Sequence, residues 1–222
     1  MFANTQVPVR VLFDNLENGP TVDPFVDWLP GVPHPVVESV HGFAATSLDH
    51  EFHAAYAAVS RHVTDRYAVV IEVAEIQPPF KGDLDGQRIR LGRDNTPEER
   101  LFLVAHLFGH TVQWNTCEES RRLGMTRPEN PDARMLDRLE AYEREACGYS
   151  QQALHEAGVT SLDQWLADYS ACDLAYLRHA YTTGERRSFR GFWRPGCPLI
   201  EPRAIPAFSP RRWRIRDQAI VI

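Results

Sequence analysis

His106 and His110 lie four residues apart in the apolar run Ala105-His106-Leu107-Phe108-Gly109-His110-Thr111-Val112-Gln113. On a helix this spacing stacks both imidazoles on one face, where they can grip a single metal ion. In the H-E-x-x-H arrangement of zinc peptidases the residue after the first histidine is a glutamate that takes a proton from the attacking water. Here that residue is Leu107. Metal binding is therefore legible, while the usual base for hydrolysis is missing. Nine histidines in 222 residues make a pair at this spacing a common accident, so the surroundings must carry the reading. They do so in two ways: Gly109 leaves room beside the second histidine, and a buried imidazole pair needs partners that one metal ion would supply to both.

A third ligand should come from another helix, and Glu140-Ala141-Tyr142-Glu143-Arg144-Glu145-Ala146-Cys147 offers three carboxylates. Glu143 is the choice, because it shares a helical face with Glu140 three residues before it and Cys147 four after it, whereas Glu145 points substantially away. The plainer reading makes all three solvated carboxylates matched to Arg138 and Arg144. For the absent base the candidates are Glu140, one turn from Glu143, and Tyr149, with Tyr176 and His179 from a later helix. Their ordinary roles would be a surface carboxylate, core tyrosines with bonded hydroxyls and an exposed histidine.

The histidine helix has a compact start at Thr96-Pro97-Glu98-Glu99, with Thr96 as cap, Pro97 in the first turn and Glu99 three residues after the cap. It should run to about Asn115. Before it, Tyr67 to Ile76 is rich in β-branched residues and reads as a buried strand, and Arg88-Ile89-Arg90-Leu91 follows the turn-rich Lys81 to Gly86 as a second strand. The pair suggests a small sheet with an edge strand. Upstream, Ser47 caps a helical pattern through Phe52, Tyr56, Val59 and Val63, with Asp49 in the first turn. Residues 1 to 45, with the short run Val9 to Phe13 and the Pro/Gly-punctuated Leu29 to Pro35, read as mostly extended or looped. After a loop holding Gly124, Pro128 and Pro131, helical patterns return over residues 133 to 157 and from Ser161, as cap, to about Thr182. The fold class is α+β, a small mixed sheet before several helices.

These residues resemble the ImmA/IrrE-like zincin metallopeptidases. The resemblance runs through Ile89-Arg90-Leu91, the helix from Glu99 to His110 and Glu143-Arg144-Glu145-Ala146, covering about residues 60 to 155. It implies the order edge strand, histidine helix, glutamate-bearing helix, and a zinc ion held by His106, His110 and Glu143 with one position open to water or substrate. Two departures stand out. Leu107 occupies the base position, and Cys147 stands where related zincins often place aspartate or asparagine, which implies altered support for a histidine. The expected organisation is a zincin-like metal-binding domain over residues 1–185, and an arginine-, proline- and aromatic-rich arm over residues 186–222 that its charge and aromatics would pack on that domain.

The totals fit a globular protein, with 43% hydrophobic and 24% charged residues. The first residues carry no basic flank followed by an apolar run, and no segment reaches membrane-spanning length, which predicts a soluble cytoplasmic protein with no membrane partner. Cys117, Cys147, Cys172 and Cys197 contain no C-x-x-C pair and read as reduced thiols, Cys117 and Cys172 as small packing residues. Residues 185 to 217 hold nine arginines against Glu185, Glu201 and Asp217, a net +6 in a chain of net charge −6. Interleaved aromatics could make this a nucleic-acid strip. The acidic remainder favours instead an arm docked on its own domain, and disfavours nucleic acid as a partner. His50 and His53 read as a surface helix face, and Glu118 and Glu119 as solvated.

Loss of a positioned base costs on the order of 10²- to 10⁴-fold in rate. The expectation is therefore a divergent hydrolase or other metal-assisted enzyme acting on a peptide or small molecule. Two alternatives remain. A 2-His-1-carboxylate site also suits a non-haem Fe(II) oxidase or oxygenase, which makes Fe2+ the alternative to Zn2+. A catalytically inactive pseudopeptidase would serve as a binding or regulatory module.

Overall fold

The computed structural model describes residues 1–2, 6–17, 22–29, 31–77, 79–126, 131–185 and 187–213. They form two compact units, Met1–Glu51 and Phe52–Ile222. No helix among the described residues is long and apolar enough to cross a membrane.

The first unit corrects the expectation of an extended N-terminal part. It contains α1 (Arg10–Glu17), α2 (Val22–Trp28) and the beginning of α3 (His34–Tyr67). Proline punctuates these helices without excluding them. Pro24 and Pro35 sit in first turns, where the missing N–H has no intrahelical partner to lose. Helices of eight and seven residues are marginal alone. They hold through a small core of Phe2, Leu12, Phe25, Val32 and Val37, which a periodicity argument over so few residues does not reveal.

Ser47 is not a cap. It lies inside α3, its hydroxyl donating to the Phe43 carbonyl one turn back at 2.8 Å, an alternative use that a serine finds mid-helix. Downstream the expected stripe is present: Phe52, Val59 and Val63 are buried and Tyr56 packs against the same core.

Three strands follow: β1 (Val70–Ala74), β2 (Gly82–Leu84) and β3 (Arg88–Gly92). The order is β1-β3-β2, with β1 parallel and β2 antiparallel to β3. Two expectations change here. The strand after Tyr67 is shorter than foreseen and is itself an edge, with Val70 and Val73 exposed, while β3 is central, with Ile89 and Leu91 buried. β2 was hidden in the turn-rich stretch. It joins β3 through a tight turn in which Gly86 takes φ 94° and the Asp85 carboxylate accepts the Gln87 and Arg88 N–H groups.

α4 (Pro97–Thr116) starts as its sequence requires: the Thr96 hydroxyl accepts the Glu99 N–H, the Glu99 carboxylate accepts the Thr96 N–H, and Pro97 opens the helix. Every residue from Leu101 to Trp114 is buried, so α4 is a central helix apolar on nearly all sides. The stretch read as a loop begins instead with α5 (Glu118–Met125), which contains Gly124. A side chain at Gly124 would collide with the Tyr142 hydroxyl and the Trp114 indole N–H, so the glycine marks a close approach to the core. Pro128 lies outside the described residues.

α6 (Ala133–Glu156) is capped by Asp132, whose carboxylate accepts the Met135 N–H at 2.7 Å. α7 (Asp163–Thr183) begins later than foreseen, with Leu162 at the cap position and no side-chain cap. The expected cap at Ser161 is therefore one residue early, and Leu162 and Leu166 are buried at this end of the helix. The remaining described segment, from 187, has a short 3₁₀ turn at Phe189–Phe192 and no other regular structure. Phe208 stacks on Tyr67 at 5.7 Å, Arg203 pairs with Glu145 at 3.1 Å, and Arg190 pairs with Glu98.

Candidate metal centre

α4 and α6 cross where Gly109 removes a side chain. A Cβ there would stand 2.8 Å from the carbonyl carbon of Ala146 and closer still to its oxygen. The Ser150 hydroxyl, within 2.9 Å of the Ala105 carbonyl and 2.8 Å of that of Ala146, ties the two helices at the same level. This contact brings the imidazoles of α4 against the carboxylate of α6. His106 Nε2 and His110 Nε2 are 3.0 Å apart, and Glu143 Oε2 is 3.2 Å from the first and 3.0 Å from the second. All three residues are buried, and they are the one such cluster of potential ligands among the described residues.

The triangle is chemically suited to a cation. Ligand atoms about 2.1 Å from a tetrahedral metal are about 3.4 Å from one another, close to the observed edges. Two imidazole lone pairs and a carboxylate facing each other at these distances require a shared proton or a metal between them. Burial alone would raise the Glu143 carboxyl, but the facing His110 and His106 rings hold it far below the usual carboxylate range. Burial likewise disfavours a charged His106, yet Cys147 and Glu143 beside it raise its proton affinity well above the ordinary value of 6.5. A metal cation on these three atoms would compete with protons for the same lone pairs.

His110 is oriented as a ligand. Its Nδ1 lies 2.9 Å from Gln113 Oε1, and Gln113 Nε2 donates to the Tyr142 carbonyl and to Glu145 at 2.8 Å each. With the amide turned that way, Nδ1–H is the donor and Nε2 keeps its lone pair for the centre. Tyr142 stacks on the ring of His110 at 4.5 Å and Phe102 on that of His106 at 5.1 Å. His106 Nδ1, by contrast, has no hydrogen-bond partner. Cys147 stands near enough to influence the ring's charge without closing a bond of normal geometry.

The chain has no match among protein-family models, curated proteins or solved structures. The centre must be read from its own residues.

Leu107 is 1% exposed and faces β2, where a Cβ on Gly82 would lie 3.1 Å from its Cδ1. No acid stands in its place. Glu140 is not brought into the triangle: Arg144 and Arg178 hold it at 2.6 Å and 2.7 Å, and they keep its carboxyl below the usual range. Tyr149 is six residues beyond Glu143, about 240° round the helix. It is buried, with its hydroxyl accepting from Arg203 Nε at 3.1 Å. Tyr176 and His179 meet the rings of Phe189 and Phe192. Glu145 supports Gln113 and pairs with Arg203. His50, His53, Glu118 and Glu119 are exposed, and so is Cys117, which is not the packing residue expected because it caps α5 at the surface.

Two residues escaped the sequence reading. Gln113 could have been found, since it lies three residues after His110 on the same helical face. Asp173, on α7, gave less signal. It is 2% exposed, and its Oδ2 lies 4.0 Å from His106 Nε2, while Oδ1 has no hydrogen-bond partner. Burial pushes its carboxyl up to about 7, against the lowering effect of His106, with Glu143 adding to the rise. Nearby, a crevice lined by Leu136, Leu139, Glu140, Glu143, Leu174 and Arg178, among others, reaches the Glu143 side. Its free space of about 30 Å³ admits a water and nothing the size of a substrate.

Proposed function

We propose that this protein is a zincin-like metalloenzyme that holds one divalent ion, Zn2+ first and Fe2+ second, on His106, His110 and Glu143. Its activity would be metal-assisted hydrolysis of a peptide or small molecule by a route without the conventional glutamate base. What carries the reading is the mutual 3.0–3.2 Å approach of three buried ligand atoms from two helices. The orientation of His110 by Gln113 adds to it. A metal bound there would polarise a substrate carbonyl and acidify water. The chain's own part is to fix the His110 tautomer through Gln113, to hold the carboxylate of Glu143 ionised, and to keep bulk water away with Phe102 and Tyr142, which stack on the two imidazoles.

A second reading is favoured by the narrow crevice and by Leu107: a metal-bearing module, descended from a peptidase scaffold, whose role is binding or regulation. The experiment begins with elemental analysis of protein purified without added metal. One zinc or iron per chain, lost in His106→Ala and Glu143→Ala, supports the site, and absence of metal at neutral pH sinks both readings. Zinc-loaded and anaerobically iron-loaded protein are then compared on peptide and small-molecule panels. Hydrolysis with zinc supports the enzyme. Turnover only with iron and oxygen would replace hydrolysis by redox chemistry. A loaded but inert protein favours the module.

A further inference from the structure

Asp173 is a buried acid on α7, where Leu166, Tyr169 and Cys172 are buried too and the other buried acid, Asp168, accepts the Gly196 and Cys197 N–H groups. Among the described residues its one ion-pair partner within 4.0 Å is His106, and no lysine or arginine reaches it. Leaving a carboxylate oxygen both buried and unbonded is costly, so a feature of this kind calls for a partner. Glu143 adds a second buried carboxylate to the same small space. With both histidines neutral, as ligation requires, the cluster carries two negative charges and no fixed positive one. A single divalent cation balances that charge.

We propose that Asp173 is the fourth protein ligand, so that the centre is a two-histidine, two-carboxylate site. This rests on the reading above that a metal occupies the triangle. Asp173 Oδ2 is 4.0 Å from His106 Nε2, against about 3.4 Å between ligands of a tetrahedral ion, but it lies outside the group of His106, His110 and Glu143 whose ligand atoms are all within 4.8 Å of one another, so the Asp173 carboxylate must move inward to complete the shell. The four groups then come from three helices, α4, α6 and α7. Their consequence for function is specific. With Asp173 in place no coordination position is open, and substrate or water gains access only when this carboxylate lets go. Asp173 thus sets whether the centre is closed or reactive, a role that Leu107 cannot play.

The test is titration of the full chain, stripped of metal, with Co2+, followed by visible absorption and by competition with a chromophoric chelator. The wild type, Asp173→Asn, Asp173→Ala and Glu143→Gln are compared, with folding of each checked by circular dichroism. We expect one Co2+ per wild-type chain and a spectrum indifferent to added azide, which finds no open position. Asp173→Asn and Asp173→Ala should still bind one ion, at least about tenfold more weakly, and their spectra should shift with azide. Affinity and spectrum unchanged in both variants overturn the proposal, leaving the three-ligand centre intact. A wild type whose spectrum responds to azide as the variants do also overturns it, and needs no variant to fold. A wild type that binds no Co2+ overturns the three-ligand reading together with the fourth ligand. Loss of binding in Glu143→Gln while the Asp173 variants bind as wild type does separates the two claims.

Discussion

Gly109 and Ala146 meet backbone to backbone, and a Cβ on Gly109 would overlap the Ala146 carbonyl. Three residues before Ala146 is Glu143, and one residue after Gly109 is His110, so this contact sets how near the carboxylate stands to the imidazoles. Gly109→Ala must push α6 away from α4. Overpacking of this kind costs about 1–3 kcal/mol, and we expect that loss in denaturant unfolding together with weaker zinc binding in a chelator competition. A variant with wild-type stability and affinity would mean that the close approach is not what builds the centre.

Gln113 acts on the metal through His110. Gln113→Ala removes the acceptor for Nδ1–H and frees the ring to turn, which at comparable metal sites costs about 10- to 100-fold in affinity. Gln113→Glu keeps an acceptor at that place and should retain more of the affinity than alanine does. Equal losses in the two variants would show that packing, and not the hydrogen bond, orients His110.

The parts of this site that the sequence disclosed are those set by neighbours along one helix. Thr96, Pro97 and Glu99 define the start of α4, and the spacings of His106, His110 and Glu143 place each on one face. What lay hidden depends on chain segments far apart. β2 is three residues long and exists because β3 pairs with it, so no period could announce it. α1 and α2 are too short to show a stripe and hold through a local core. Asp173 reads as an ordinary acid in a helix of mixed composition. Only the packing of α7 turns it toward His106.

Leu107 offers a direct test of the missing base. It is 1% exposed and lies against Gly82 and the core. Leu107→Glu therefore places a carboxylate where the wild type has apolar contact, and we expect a fall in stability on the order of 2–5 kcal/mol in metal-free protein. If the zinc-loaded variant hydrolyses peptides that the wild type leaves intact, Leu107 is the reason a conventional peptidase reaction is absent. Peptide hydrolysis at equal rates in both would show that another group already serves as base.

Removal of metal should leave a protein whose stability falls as pH rises, and Asp173 fixes the lower part of that fall. Its carboxyl titrates near 7 when folded, against an ordinary 3.8. Between about pH 4 and pH 7 the folded state holds a proton that the unfolded chain has released, so each step up in pH favours unfolding. At about 1.4 kcal/mol per unit the loss from this group is at most about 4 kcal/mol. His106 continues the trend: its raised affinity stabilises the fold below 6.5, and that contribution disappears as pH passes its folded value. Glu143 works in the opposite sense. Its depressed value costs stability only when the pH falls below the ordinary carboxylate range, outside this window. Urea unfolding in a chelator at pH 5 and pH 7.5 should show the drop for the wild type, and Asp173→Asn should reduce it. Zinc, which takes the place of the protons, should reverse the drop at pH 7.5. A metal-free wild type equally stable at both pH values would show that Asp173 is no harder to ionise in the fold than in the open chain.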